Sequence, residues 1–400
     1  MVQLVLDPKF IQKNYPCDFL TQAEWKAYGN PNLFLGIAYI LIGLVCILLY
    51  IPVIIILMRK DLLENSCYKL ILFLTFVDVL ALIPCSLITG WLTIDGQVYC
   101  SSPTFILYSG TIGMCGWNIS CFVCLVLAFN RCLDICLPKV WELLFAGKKT
   151  LLWIVASILY GVKMSFFAPG LFYSSRGGAW FYTPYYLITV KEFSKDVEYM
   201  NWGEVVHNII IVVGLSTMYT IFIGTLFCKL KTCKNKFKLS SSQKSLLIQT
   251  TFICSASMSC AGLYMVTNWI IVNKTVIIAS QIAWILSHGC SSFSLAFCNK
   301  TIRTHIYQDL FPNRLKKYFY SKAGLPKGNT IKIAAQNNIY KRSECVCLRG
   351  DKSFAANSSL ASIKAFLTDF DLSKVFDSIL PDLIQHVLFP KLIIKTFGPN

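Results

Sequence analysis

Charge is missing from most of this chain, and the places where it stops divide the sequence into seven apolar runs. Leu33 to Met58 and Val98 to Asn130 carry no charged residue, Leu70 to Ile94 carries only Asp78, and Leu151 to Ser175 only Lys163. Val205 to Cys228 holds His207, Ser245 to Asn273 holds no charge or histidine, and Thr275 to Asn299 holds only His288. About 20 apolar residues rising 1.5 Å each cross a hydrocarbon core of about 30 Å. The pattern therefore predicts spans over 33–58, 70–94, 103–130, 151–173, 206–228, 246–272 and 276–298. The runs are continuously apolar rather than alternating, and a backbone in lipid must satisfy its own hydrogen bonds, so they read as helices and not barrel strands. The fold class that follows is an all-α membrane protein, a seven-transmembrane helix bundle.

Composition agrees with one dominant membrane domain. The chain is 55% hydrophobic and 14% charged, with mean hydropathy +0.58, which excludes an ordinary soluble domain and a disordered chain. A formal charge of +17 raises the question of nucleic acid. The basic residues flank spans instead of forming a patch interleaved with aromatics, so they suit an anionic lipid leaflet, and no nucleic-acid partner is expected.

Loop charge orients the bundle. Lys9, Lys13 and Lys26 are balanced by Asp7, Asp18 and Glu24 before the first span, whereas Arg59 and Lys60 follow it directly. The next loop on that side carries Arg131, Lys139, Lys148 and Lys149, and the third carries six lysines from Lys229 to Lys244 with no acid. The connection between spans four and five mixes Arg176, Lys191 and Lys195 with Glu192, Asp196, Glu198 and Glu204. The N-terminus is expected outside and the C-terminus inside. No cleavable leader pattern opens the chain, so the first span is expected to direct insertion.

The inner end of the third span reads Asn130-Arg131-Cys132, which resembles the Asp-Arg-Tyr element of G-protein-coupled receptors with asparagine in place of the acid. Further landmarks are Tyr15-Pro16-Cys17, Trp25, Gly29-Asn30, Tyr50-x-Pro52, Ser66-x-Tyr68-Lys69, Asp78, Ile88-Thr89-Gly90, Tyr99-Cys100 with Pro103, Asp134, Leu144-Phe145-x-Gly147, Tyr160-Gly161 and Trp180-Phe181. Taken in order from about Tyr15 to Arg303, they resemble nematode serpentine chemoreceptors of class T. The resemblance implies a plasma-membrane receptor, on sensory cilia, that binds a small environmental ligand and activates a heterotrimeric G protein. A second receptor copy is a further candidate partner. The sixth span lacks a Cys-Trp-x-Pro element and the seventh lacks Asn-Pro-x-x-Tyr, so activation details of rhodopsin-like receptors do not transfer.

Many serpentine receptors bridge the outer end of the third helix to the loop after the fourth, but Ser174 to Glu204 contains no cysteine. Of the 18 cysteines, Cys17 and Cys100 are the few expected outside. A Cys17–Cys100 disulfide is expected, two free thiols being the alternative; most others, such as Cys121 and Cys254, lie in spans as small hydrophobes.

Arg131 is the candidate G-protein contact, with Asn130 beside it and Asp134 three residues on as the partner that restrains it. Plain flanking charge is the other reading. No acid occurs between Lys229 and Asn273, so an ionic lock from Arg131 to the sixth span is not expected. Asp78 falls near the midplane, where a carboxylate must face the interior. The resemblance to other receptors implies a sodium-assisted polar cluster around it with Asn118, Ser291 or Ser294; a protonated, hydrogen-bonded structural group is the other reading. Trp117, Tyr264, Trp284 and Lys163 are candidates for an outer ligand cavity, although Lys163 equally suits snorkelling to the interface and His288 equally suits a satisfied core position.

Residues 1–32 read as an outer segment, 33–299 as the receptor domain, 300–320 as a short amphipathic helix on the inner surface, and 321–400 as a mostly disordered tail. Phe366 to Phe397 is apolar but interrupted by acids and prolines, so it is no eighth span. Four histidines without a paired Cys-x-x-Cys give no metal site, no cofactor is expected, and no nucleophile constellation suggests an enzyme. A transporter or ligand-gated channel is the rival class, and the repeats or lines of buried charge it would require are absent from the sequence.

Overall fold

Helix starts in this chain are written by short polar side chains. Asp7, Thr21, Asn32, Asn65, Asn273 and Asn299 each accept a hydrogen bond from a backbone N–H in the first helical turn, satisfying groups that have no partner within the helix. The computed structural model of the chain describes residues 7–188, 199–232, 241–269 and 272–310. All of them belong to the first of two units, Met1–Gln336; the second, Asn337–Asn400, lies outside the described residues.

Two short helices come first, α1 (Pro8–Asn14) and α2 (Gln22–Ala27). The first long helix is α3 (Leu33–Leu57), followed by the single turn α4 (Lys60–Leu63). Next, α5 (Ser66–Leu82) runs through a π-helical turn at Ile83–Ile88 into α6 (Thr89–Asp95). Then come α7 (Pro103–Cys136), the short α8 (Pro138–Phe145) and α9 (Thr150–Phe166). Strands β1 (Phe172–Ser174) and β2 (Ala179–Phe181) form an antiparallel hairpin. Helices α10 (Trp202–Thr232), α11 (Ser241–Trp269) and α12 (Lys274–Phe293) complete the bundle, and α12 continues through a π-helical turn to Cys298. A last helix, α13 (Lys300–His305), extends through a further such turn to Leu310.

Six described helical stretches are long and apolar enough to cross a membrane: Leu33–Leu57, Ser66–Asp95, Pro103–Cys136, Gly147–Phe166, Trp202–Thr225 and Lys274–Cys298. With the 29-residue α11 they make the expected seven-helix bundle. Large apolar side chains face outward, Phe34 at 86% exposure and Leu152 at 71%, while Asp78, Asn118, Glu204 and His288 are buried. This is the partition lipid demands, because oily surface has nothing to gain by hiding from lipid tails and packing must come from close approach and polar contacts.

Small residues make that approach possible. A Cβ on Gly36 would meet the Gly90 carbonyl, and one on Gly90 would meet the Gly36 carbonyl, so α3 and α6 cross backbone to backbone. Gly43 against Ser86 and Gly289 against Cys46 bring the neighbouring turns equally close. Pro84 explains the irregularity of the second span. It has no N–H to give the ladder, and the extra residue of the π turn lets the Thr89 hydroxyl donate to the Pro84 carbonyl at 2.8 Å.

Several boundaries differ from the sequence expectation: the third span runs on to Cys136 rather than 130, and the sixth helix begins at Ser241 rather than 246. The fourth span ends at Phe166 rather than near 173, because the residue before Pro169 is disfavoured in helix and the chain turns into β1. The fifth begins at Trp202, so Glu204 belongs to the helix and not to the loop. Residues 233–240 of the six-lysine loop lie outside the described residues, as do 311–400 with the tail.

The hairpin closes the mouth of the bundle. Tyr39 donates to the Gly178 carbonyl at 3.0 Å, Trp180 Nε1 donates to Thr89 Oγ1 at 2.7 Å, and the Tyr173 and Thr93 hydroxyls meet at 2.7 Å. Over it lies the N-terminal segment. Tyr15 packs edge-on against Phe172, Tyr185 donates to the Pro16 carbonyl, and Trp25 Nε1 donates to the Cys17 carbonyl at 3.0 Å. In α2 the capping box is complete, and the hydrogen bonds from Thr21 hold the Glu24 carboxyl below its ordinary value. Burial pushes the Tyr15 phenol up, opposed by the N–H of Gly170.

Cys17 and Cys100 are joined in a disulfide across a sequence separation of 83. Closing so long a loop restricts the unfolded chain. Cys100→Ser should therefore lower stability by about 2–4 kcal/mol, with the Cys17→Ser/Cys100→Ser double variant no worse than either single one. Unfolding of purified protein in nanodiscs measures this, and additive losses would show that the two sulfurs act separately.

Candidate functional site

The interior polar centre is built around Asp78, which α5 places facing the bundle axis at 1% exposure. Three other helices supply donors to its carboxylate. Ser120 of α7 donates to Oδ1 at 3.0 Å, His288 Nδ1 of α12 lies 2.8 Å from the same oxygen, and the Tyr50 hydroxyl of α3 lies 3.0 Å from Oδ2. Tyr50 also reaches the His288 carbonyl at 2.6 Å, so its single proton is divided between two acceptors. A carboxylate away from water is tolerated only when so surrounded.

Toward the mouth the cluster meets aromatic rings. Trp117 stands edge-on to His288 with ring centroids 6.1 Å apart, and Tyr264 stands edge-on to Trp284 at 6.4 Å. Gly113 leaves room for Trp284: a Cβ there would lie 3.1 Å from the indole. Trp117 and Trp284 are buried, and Trp284 Nε1 finds no hydrogen-bond partner. Beside them Asn118 donates to the Met114 carbonyl and to Ser165 Oγ at 3.3 Å, tying α7 to α9. His207 of α10 meets the Tyr160 hydroxyl of α9 at 2.7 Å.

At the far end of the bundle a second polar set surrounds Arg131. Its guanidinium donates to Asn130 Oδ1 at 2.6 Å and lies 3.5 Å from Asp134, and Asn130 in turn donates to Ser66 Oγ at 3.1 Å. Asn299 donates to Gln249 Oε1 of α11 and lies 3.5 Å from the Tyr68 hydroxyl. Arg59 pairs with Asp61 and with Asp309, which also faces His305. Burial, with Arg59 nearby, holds the His305 imidazole below its ordinary value.

Several expected groupings are redrawn by this geometry. Asp78 is not joined by Asn118, which turns toward α9 and α10, nor by Ser294, whose hydroxyl lacks a partner. Ser291 approaches Tyr50 instead. The donors the sequence reading did not assign are Ser120 and Tyr50, and His288 is the core histidine that completes them. Lys163 is exposed on the last turn of α9, turned away from these interior groups. Trp117, Tyr264 and Trp284 do converge. Gln249 and Asn299 went unnoticed because neutral amides carry no charge signal. Glu204 read as one acid among several in a loop; the legible signal was Asn201-x-x-Glu204, the spacing of a helix start.

A family model described as the serpentine-type 7TM GPCR chemoreceptor Srt matches residues 3–319 of the chain. A Caenorhabditis elegans protein named serpentine receptor class T-55 is 26% identical over 327 residues, covering 81% of this chain and 87% of that protein.

The Asp78 cluster makes a quantitative demand. His288→Ala should destabilise the protein by about 1–3 kcal/mol. Combined with Asp78→Ala it should cost less than the two single losses together, the difference being about 0.5–3 kcal/mol. Unfolding of the four species in one detergent measures that coupling, and strict additivity would separate the two residues.

Proposed function

Because the chain belongs to the Srt family of serpentine-type seven-transmembrane chemoreceptors, we propose that it binds a small environmental molecule beneath the hairpin and activates a heterotrimeric G protein from the opposite end. The N-terminal segment and hairpin face outward and α13 faces the cytoplasm of a sensory cell. The loop charges support this orientation, with Arg59, Lys60, Arg131, Lys148 and Lys149 on one side.

The observation that carries the reading is the unbroken contact path from the aromatic chamber to the polar centre: Trp117 packs on His288, and His288 bonds Asp78. A ligand that repositions Trp117 alters the donors around Asp78, and through them the mutual seating of α3, α5, α7 and α12. The energetic requirement is that the ligand bind the rearranged bundle better than the present one. At the coupling end, Asn130 holds Arg131 against α7 while Asn299 and Gln249 tie α12 to α11. Moving α11 outward breaks the amide pair and frees Arg131 to donate to carbonyls of the G protein's terminal helix.

Expression with a G-protein reporter and a chemical panel tests this. Arg131→Ala should abolish the ligand-evoked response while surface display persists, and Asn299→Ala should raise basal activity. An unchanged response in Arg131→Ala, or a ligand-evoked current that needs no G protein, overturns the reading.

A further inference from the structure

Glu204 sits in the first turn of α10 at 2% exposure. Asn201 accepts from its backbone N–H at 3.1 Å, so Asn201-x-x-Glu204 has the spacing of a capping box. In such a box the glutamate reaches back to the N–H of the capping residue. Glu24 does so in α2, accepting from the N–H of Thr21 at 2.7 Å. Glu204 does not: both of its carboxylate oxygens are buried without a donor at hydrogen-bonding geometry. Its side chain instead lies inside the bundle against the Trp117 indole and the Asn118 carboxamide, whose N–H groups are the neutral donors nearest to it.

These neutral groups do not balance its charge. Among the described residues no lysine, arginine or histidine forms an ion pair with Glu204, and Lys163 faces outward. The amide oxygens of Asn118 and of Asn208, one turn further along α10, are also buried without donors. The neighbourhood thus holds a surplus of acceptors. An unpaired carboxylate in a lipid-embedded bundle is costly and marks a place where something else completes the structure. The Trp117 ring adjoins it, with Trp284 packed on the same helix at Gly113 and Tyr264 edge-on to Trp284, and aromatic faces favour a cation over an anion.

We infer that the aromatic chamber receives a small organic cation, a protonated amine on a compact apolar body, whose ammonium group pairs with Glu204 and whose body lies among Trp117, Trp284 and Tyr264. An ammonium carries three donors and a full charge, matching a carboxylate and two amide oxygens. An alcohol offers one donor, and a carboxylate adds a like charge. This assignment rests on the receptor reading for its ligand chamber, but it concerns binding and not coupling.

The test uses the full-length chain in zwitterionic nanodiscs and reads thermal unfolding. The probes are a series of amines from butylamine to phenethylamine, each with its matched alcohol and carboxylic acid. Amines should raise the unfolding temperature, alcohols and acids should not, and Glu204→Gln should weaken amine binding by about 30-fold or more. Without ligand, Glu204→Gln should melt no lower than the parent, since it removes an unbalanced buried charge. Equal shifts from alcohols, a persisting amine shift in Glu204→Gln, or no shift from any amine would overturn the inference. If Glu204→Gln does not fold, the amine-against-alcohol comparison on the parent chain still decides. The assay contains no G protein, so its failure leaves the Arg131 experiment standing, and failure of that experiment leaves this one standing.

Discussion

A carboxylate in the middle of a lipid-embedded bundle has to be given its solvent by the protein. Asp78 takes that solvent from Tyr50, Ser120 and His288, one donor from each of three other helices. Hydrophobic burial sets little about how the helices meet when lipid is as apolar as leucine. Polar convergence of this kind therefore fixes rotation and depth, and small-residue contacts such as Gly36 with Gly90 fix the separation. The aromatic chamber above the cluster and the arginine site below it are held at a defined spacing because both are anchored to the same helices.

The spans themselves were legible because the cost of charge in lipid is written directly into the sequence. Leu33–Leu57, for example, ends two residues before charge resumes at Arg59. The direction in which a side chain points was not legible. Lys163 and Asp78 are both single charges within apolar runs, yet one is exposed and the other is sealed, and only the packing of neighbours distinguishes them. Asn118 failed to join Asp78 for the same reason: Ser120, two residues further on, has the right rotation on α7. Glu204 was hidden by its neighbours, since a stretch containing Glu192, Asp196 and Glu198 reads as a solvated loop until the helix start at Asn201 is noticed.

The mouth shows how a short covalent link ties a cover to the bundle. The hairpin is seated from below by Tyr39, Thr89 and Thr93 and covered from above by the N-terminal segment, which the Cys17–Cys100 bond tethers to the start of α7. Trp117 and the covering segment are thus attached to one helix. A shift of α7 moves Trp117 and the disulfide together.

The contact joining α11 to the end of α12 is made by two carboxamides, Asn299 and Gln249, where an ion pair would be the familiar solution. Carboxamides neither titrate in the physiological range nor attract a counterion atmosphere. The Asn299–Gln249 contact is accordingly a matter of steric fit and one hydrogen bond, insensitive to salt and acidity in a way an ion pair would not be.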